Sequence, residues 1–195
     1  MNNKKRTIII IAIFLGAVIL SALINFCITL VQKSIYPIKY SEEVEKYSAE
    51  FNIPGYVLFA VIDTDSDFDA NKQYSDGSKG LMHITHDTYA KLYSAEHLDD
   101  ESLFDDLATP DVSIRYGAYY LRYLFNKYNS WDTAIVAYIS GEKTVNDWLL
   151  DKEYSKNGTK LNKIPIEESE KYLKKVNKAI DYYKDTYYRN GVFIK

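Results

Sequence analysis

Thr7 to Val31 reads TIIIIAIFLGAVILSALINFCITLV, 25 residues without a charge. A helix of that length exceeds the ~20 residues that cross a ~30 Å hydrocarbon core. A cleaved signal peptide would carry only about 7–15 apolar residues and a small-residue cleavage site. This run is longer, and Ile-Asn-Phe-Cys around Cys27 is neither such a site nor a Leu-small-small-Cys lipobox. The run is therefore expected to be a retained membrane anchor. Lys4, Lys5 and Arg6 precede it and only Lys33 follows closely. Positive flanks stay cytoplasmic, so residues 1–6 are expected inside the cell and the C-terminal part outside.

About 160 residues remain, which suits one domain able to bury a core of its own. Hydrophobic content of 47% and charged content of 26% are those of a globular chain. The lone cysteine, Cys27, excludes an intramolecular disulfide. Removing the three positive charges ahead of the run from the net charge of −3 leaves the outer part at −6. That balance argues against a nucleic-acid partner.

The expected organisation is a tail at 1–6, an anchor at 7–31, a connector at 32–40, a domain at 41–188 and a C-terminal tail at 189–195. Within the domain the patterning is helical. Ser41 is placed to cap a helix whose first turn holds Glu42 and Glu43. Pro54 suits the first turn of the next helix. Residues 56–62 are apolar all round, so periodicity alone fits a buried helix or a strand. Residues 69–80, with Gly77 and Gly80, form a loop or small hairpin. Thr85 caps a short helix to Leu92. Asp111 is placed to cap a long helix with Ile114, Ala118, Leu121, Phe125 and Tyr128 on one stripe. Shorter helices span 131–139 and 144–150. A last helix from Pro165 repeats Tyr172, Val176, Ile180, Tyr183 and Tyr187 at helical spacing. Most of the 19 tyrosines are expected to pack between helices and surface.

Four blocks stand out in order, AVIDTDSDF at 60–68, GSKGLMHI at 77–84, the run from Ile114 into AYISG at 137–141, and IPIEESEKYL at 164–173, and together they resemble the SLT-domain lytic transglycosylases. Residues 60–68, AVIDTDSDF, resemble the family's helix ending in Glu-Ser-x-Phe. Residues 77–84, GSKGLMHI, are similar to Gly-x-x-Gly-Leu-Met-Gln. Ile114, Gly117, Tyr120 and Leu121 keep the family spacing and lead to AYISG at 137–141, where the family reads Ala-Tyr-Asn-Ala-Gly. Residues 164–173, IPIEESEKYL, resemble Ile-Pro-x-x-Glu-Thr-x-x-Tyr-Val. The resemblance covers about residues 40–188. It implies a mainly α, lysozyme-like helical domain with a small loop or hairpin near the active site; the apolar run places one transmembrane helix ahead of it. Asp65 stands at the catalytic Glu, His83 at the Gln and Ile139 at the Asn.

The family role implied for Asp65 is acid and then base. It protonates the leaving oxygen of the glycosidic bond, the sugar's own C6 hydroxyl attacks C1, and a 1,6-anhydro end forms without water. Burial raises a carboxyl pKa, and Phe68, Met82 and Tyr138 are candidates to surround it. The other implied site residues are Ser66, Gly80, Met82, His83, Tyr138, Glu168 and Tyr172. Each has a plainer reading. Ser66 can cap the helix end, Gly80 can make a turn, and Met82 can fill the core. Tyr138 can be a half-buried core tyrosine. Glu168 and Tyr172, one helical turn apart, can be an exposed acid above a core ring. His83 and the three-residue-distant His86 lack a zinc-protease pattern. Asp63, Asp65, Asp67 and Asp69 alternate as in a calcium loop, but Phe68 and Tyr74 occupy the positions that need Gly and Glu. Neither metal nor cofactor is expected, and Asp63, Asp67 and Asp69 read as solvated acids. The expected partners are peptidoglycan strands and, through the N-terminal helix, the membrane. The competing reading is a peptidoglycan-binding or scaffold module of an envelope machine that has lost catalysis.

Overall fold

The computed structural model describes residues 3–94 and 102–194. Met1 and Asn2 of the expected tail and Lys195 lie outside the described residues. The chain divides into two compact units, residues 1–37 and 38–195.

The first unit is one helix, α1 (Asn3–Ile35), which runs past the expected end at Val31. Its stretch Ile9–Ile35 is long and apolar enough to cross a membrane. The hydroxyl of Thr29 donates to the Asn25 carbonyl at 2.9 Å, so this polar group is satisfied inside the helix.

The second unit contains seven α-helices among its described residues: α2 (Ser41–Phe51), α3 (Gly55–Ser66), α4 (His86–Tyr93), α5 (Pro110–Tyr128), α6 (Trp131–Ser140), α7 (Glu142–Leu150) and α8 (Glu167–Tyr187). A short 3-10 turn spans Phe104–Ala108. The helical class follows the sequence, while several expected starts move. Ser41 is the first residue of α2, and left-handed Tyr40 (φ 55°) precedes it without a side-chain cap. Pro54 sits just ahead of α3. Thr109, not Asp111, precedes α5, and Pro110 opens it. The Asp111 carboxylate instead ties α5 to α2, accepting from Tyr47 Oη at 2.8 Å and Lys46 Nζ at 3.1 Å. Helix α7 starts at Glu142 rather than Thr144, and α8 at Glu167 rather than Pro165. Thr85 does cap α4, its hydroxyl accepting from the Thr88 N–H.

Residues 56–62 are helical, and Val57 through Ile62 are almost fully buried. Helix α8 covers α3 along one side, with Tyr183 stacked on Phe59 at 5.3 Å. The expected tail is a hairpin, β1 (Tyr188–Arg189) with β2 (Val192–Phe193). Its turn is Asn190-Gly191, both at positive φ, and Phe193 stacks on Phe59 at 5.9 Å. Apolar cover on several sides explains why α3 has no polar face.

Candidate active site

Asp65 lies in the last turn of α3. The chain leaves the helix through two successive left-handed residues, Asp67 (φ 52°) and Phe68 (φ 60°). Such backbone costs of order 1–3 kcal/mol per residue. It is held by the Asp67 N–H on Asp63 O, the Asp69 N–H on Ser66 O, and burial of Phe68 against Phe59.

Asp65 is 5% exposed. Tyr172 Oη, from α8, donates to Oδ1 at 2.9 Å, whereas Oδ2 has no hydrogen-bond partner among the described residues. Burial pushes the pKa up to about 7; the Tyr172 hydrogen bond and the charges of Lys72 and Lys175 restrain the rise. A C-terminal helix turn carries partial negative charge, which also disfavours a carboxylate there. Lys72 Nζ (2.5 Å) and Tyr74 Oη (3.3 Å) donate to the Asp65 backbone carbonyl. Tyr172 and Tyr138 both have pKa values raised by burial, so they remain hydroxyl donors at neutral pH.

The loop of residues 69–84 forms the neighbouring wall. Lys79 and Ile84 exchange two backbone hydrogen bonds of 3.0 Å. Tyr74 Oη also reaches Gly80 O at 3.2 Å. The His83 ring stacks on Tyr74 with centroids 4.1 Å apart, and its Nε2 lies 3.0 Å from Asp76 Oδ2. Asp76 Oδ1 in turn accepts from the N–H and hydroxyl of Ser78. Tyr138 Oη, from α6, donates to Met82 O.

The structure thus brings Asp65 of α3, Tyr138 of α6 and Tyr172 of α8 to the loop that carries His83. The remaining expected residues do other things here. Ser66 is buried and its hydroxyl donates back to Ile62 O at 2.9 Å, not to Asp65. Met82 is fully buried over Gly117, where an added Cβ would meet its sulfur at 2.3 Å; it fills the core. Gly80 (φ +78°) lets the loop approach protein, since a Cβ there would lie 2.2 Å from Leu107 O and 2.3 Å from Ser113 Oγ. Glu168 is exposed. Asp67 and Asp69 are exposed, but Asp63 is not the solvated acid expected. It is 5% exposed, and burial pushes its pKa up to about 6 against a Tyr183 hydrogen bond and the Lys175 charge. Residues two apart on a helix point to different sides, so Asp63 and Asp65 do not share a pocket wall.

Tyr74, Lys72 and Ser113, whose Oγ accepts from the Met82 N–H at 3.2 Å, support the site without any local sequence signal. A cavity of about 420 Å³ opens between α6 and α8, lined in part by Val136, Leu161, Ile164 and Leu173, but it does not reach Asp65. A smaller one of about 230 Å³ lies in the 69–84 loop, beside Lys72, Tyr74 and Gly80. Two of its lining residues, Lys72 and Tyr74, hold the Asp65 backbone carbonyl, while the Asp65 side chain does not line it. Among the described residues no group of three or more His, Cys, Asp or Glu is placed to hold a metal. Chemically the arrangement is a single carboxyl, half-protonated near neutrality, with one oxygen left unpartnered.

Residues 42–162 match the transglycosylase SLT domain. The chain is 25% identical over 156 residues to the soluble lytic murein transglycosylase of Escherichia coli K12, covering 79% of this chain and 23% of that protein. Its fold is similar to the crystal structure of the 70-kDa soluble lytic transglycosylase from Escherichia coli (TM-score 0.70, 22% identity, 79% of this chain and 25% of that one). The complex of the 70-kDa soluble lytic transglycosylase with bulgecin A matches with a TM-score of 0.72 at 20% identity, over 84% of this chain and 27% of that one. An inactive variant of the lytic transglycosylase Slt from Pseudomonas aeruginosa matches at 0.61 and 24%, over 77% of this chain and 25% of that one. The chain spans about a quarter of the length of these relatives.

Proposed function

The chain belongs to the transglycosylase SLT domain family, and from that membership we propose a membrane-anchored lytic transglycosylase that cleaves peptidoglycan strands with Asp65 as its acid. The observation that carries this reading is the state of the Asp65 carboxyl: buried, raised to about pKa 7, and unpartnered at Oδ2. A general acid works best with a pKa near the operating pH. In the proposed reaction Asp65 gives its proton to the oxygen leaving the MurNAc–GlcNAc bond. The C6 hydroxyl of the same MurNAc bonds to C1 and returns its proton to Asp65. The product is a 1,6-anhydroMurNAc end, and no water is consumed. Tyr172 holds Oδ1, which leaves the buried Oδ2 as the oxygen that carries the proton. The named relatives include a murein transglycosylase and a complex with bulgecin A, and both support a glycan as ligand. The apolar stretch Ile9–Ile35 supports anchoring, with the domain on the outer, cell-wall side of the cell membrane.

The enclosure of Asp65 favours a second reading, a peptidoglycan-binding or scaffold module without catalysis. Asp is one methylene shorter than Glu, and a misplacement near 1 Å costs about a hundredfold in rate. The test uses the full chain in detergent on purified sacculi, measuring soluble muropeptides and their ends. Weak release of anhydro ends is expected, raised by Asp65→Glu and abolished by Asp65→Asn. No release from either the unaltered chain or Asp65→Glu would establish the binding module instead.

A further inference from the structure

From the Asp76–His83 pair we propose a second activity of the same site: hydrolysis of the glycosidic bond by water that His83 activates, in competition with closure by the C6 hydroxyl. This rests on Asp65 being the acid. The two routes share the proton delivery and differ in the nucleophile.

Three features carry the inference. First, Asp76 Oδ2 sits 3.0 Å from His83 Nε2 and is itself held by Ser78 through Oδ1. A carboxylate on one ring nitrogen fixes the tautomer with the proton there and leaves the other nitrogen as a proton acceptor. That other nitrogen, Nδ1, makes no hydrogen bond among the described residues, and the side chain is 23% exposed, so water reaches it. Second, the ring is pinned. It stacks on Tyr74 at an interplanar angle of 8°, and its own backbone is left-handed (φ 50°). A non-glycine residue in that conformation is uncommon, and such backbone concentrates at functional sites. Third, the pair and the acid share a neighbour: Tyr74 Oη donates to the Asp65 backbone carbonyl at 3.3 Å and its ring lies 4.1 Å from the imidazole. Enzymes that hydrolyse glycosides by direct attack of water place a base near the acid with room for that water between them.

The step balances. Asp65 protonates the leaving oxygen as its bond to C1 breaks. Water bonds to C1 through oxygen and loses a proton to His83 Nδ1. The product is a reducing MurNAc end, and the His83 proton returns to solvent while Asp65 is reprotonated. Asp76 is a positioning residue that acts only through the imidazole.

The test is end-group analysis of muropeptides released by the full chain in detergent, with the reaction run in ¹⁸O-water. The unaltered chain is expected to give both anhydro ends and reducing ends carrying ¹⁸O at C1. Positioned general bases contribute about 10²–10⁴-fold, so His83→Gln should lower the ratio of reducing to anhydro ends at least tenfold, whatever happens to the total rate. Asp76→Asn keeps the shape, can still accept from Ser78, and should lower the same ratio. Far-ultraviolet dichroism confirms that each variant is folded. Only anhydro ends from the unaltered chain, or an unchanged ratio in His83→Gln, overturns the hydrolytic route and leaves Asp65 as the acid. No ends of either kind from the unaltered chain and from Asp65→Glu overturns both.

Discussion

Replacing Tyr172 with Phe removes one hydroxyl and keeps the ring that α8 lays over the acid. In the folded chain that hydroxyl donates to Asp65 Oδ1 at 2.9 Å and holds the carboxyl pKa down. A hydrogen bond to a charged group contributes about 1.5–3 kcal/mol. At about 1.4 kcal/mol per pKa unit, its loss should lift Asp65 by about 1–2 units, from about 7 to about 8–9. The sign follows from which form the hydroxyl favours. It stabilises the carboxylate, so removing it favours the acid. Carbon-13 NMR of the Asp65 carboxyl, titrated in the full chain in detergent, reads the shift directly and does not depend on turnover. The alkaline limb of muropeptide release should move with it. At pH 8 the protonated fraction would rise from about a tenth to a half or more, by the same arithmetic. A carboxyl that titrates where it did before, or at lower pH, would refute the role given to Tyr172.

Asp63→Asn tests the second buried carboxyl. Asp63 has a folded pKa of about 6 against an ordinary 3.8. Its burial therefore costs nothing below about pH 4, and the cost grows to about 3 kcal/mol as pH rises through 6. Melting of the variant should match the parent at pH 4 and exceed it at pH 8 by on the order of 5–10 °C; equal melting at both would show Asp63 to be solvated. Gly80→Ala adds a Cβ at φ +78° within 2.2 Å of Leu107 O, and the left-handed backbone plus the overlap should cost about 2–5 kcal/mol. Gly77→Ala, at the same φ with open space around it, is the control and should cost only the backbone part. Protease added to wall-stripped cells should digest residues 32–195 and spare 1–6; a protected domain would reverse the topology.

What could be read in the sequence was whatever near neighbours decide. Thr85 caps α4 because the hydroxyl and its N–H partner are three residues apart. The stripe from Ile114 to Tyr128 folds as the 3.6 period requires. The helix at 56–62 is harder, since apolar residues on all sides carry no period; the Pro54 ahead of it and the family resemblance at 60–68 are what favour helix over strand. Asp63 could not be read locally. What buries it is α8, more than a hundred residues later. Tyr74 and Lys72 carry no site signal for the same reason, being loop residues whose only mark is where the loop returns. Met82 and Gly80 sit at family positions, yet their contacts here are with Gly117, Leu107 and Ser113, and motif spacing does not distinguish packing from ligand contact. The hairpin at 188–193 is legible in the sequence, since Asn-Gly is a strong two-residue turn signal, and the expectation of a tail there gives it too little weight.

The pairing of α3 with α8 also sets a timetable. A ribosome releases the chain from its N-terminus, so the acid-bearing helix emerges about a hundred residues ahead of the helix that completes it. Until Tyr172 and Tyr183 arrive, Asp65 and Asp63 stand in water with ordinary acidity, fully ionised at neutral pH and unable to donate a proton. On the proposed reading, a partly made chain lacks the acid that cleavage needs. The proton that defines the site is loaded only when the last helix docks.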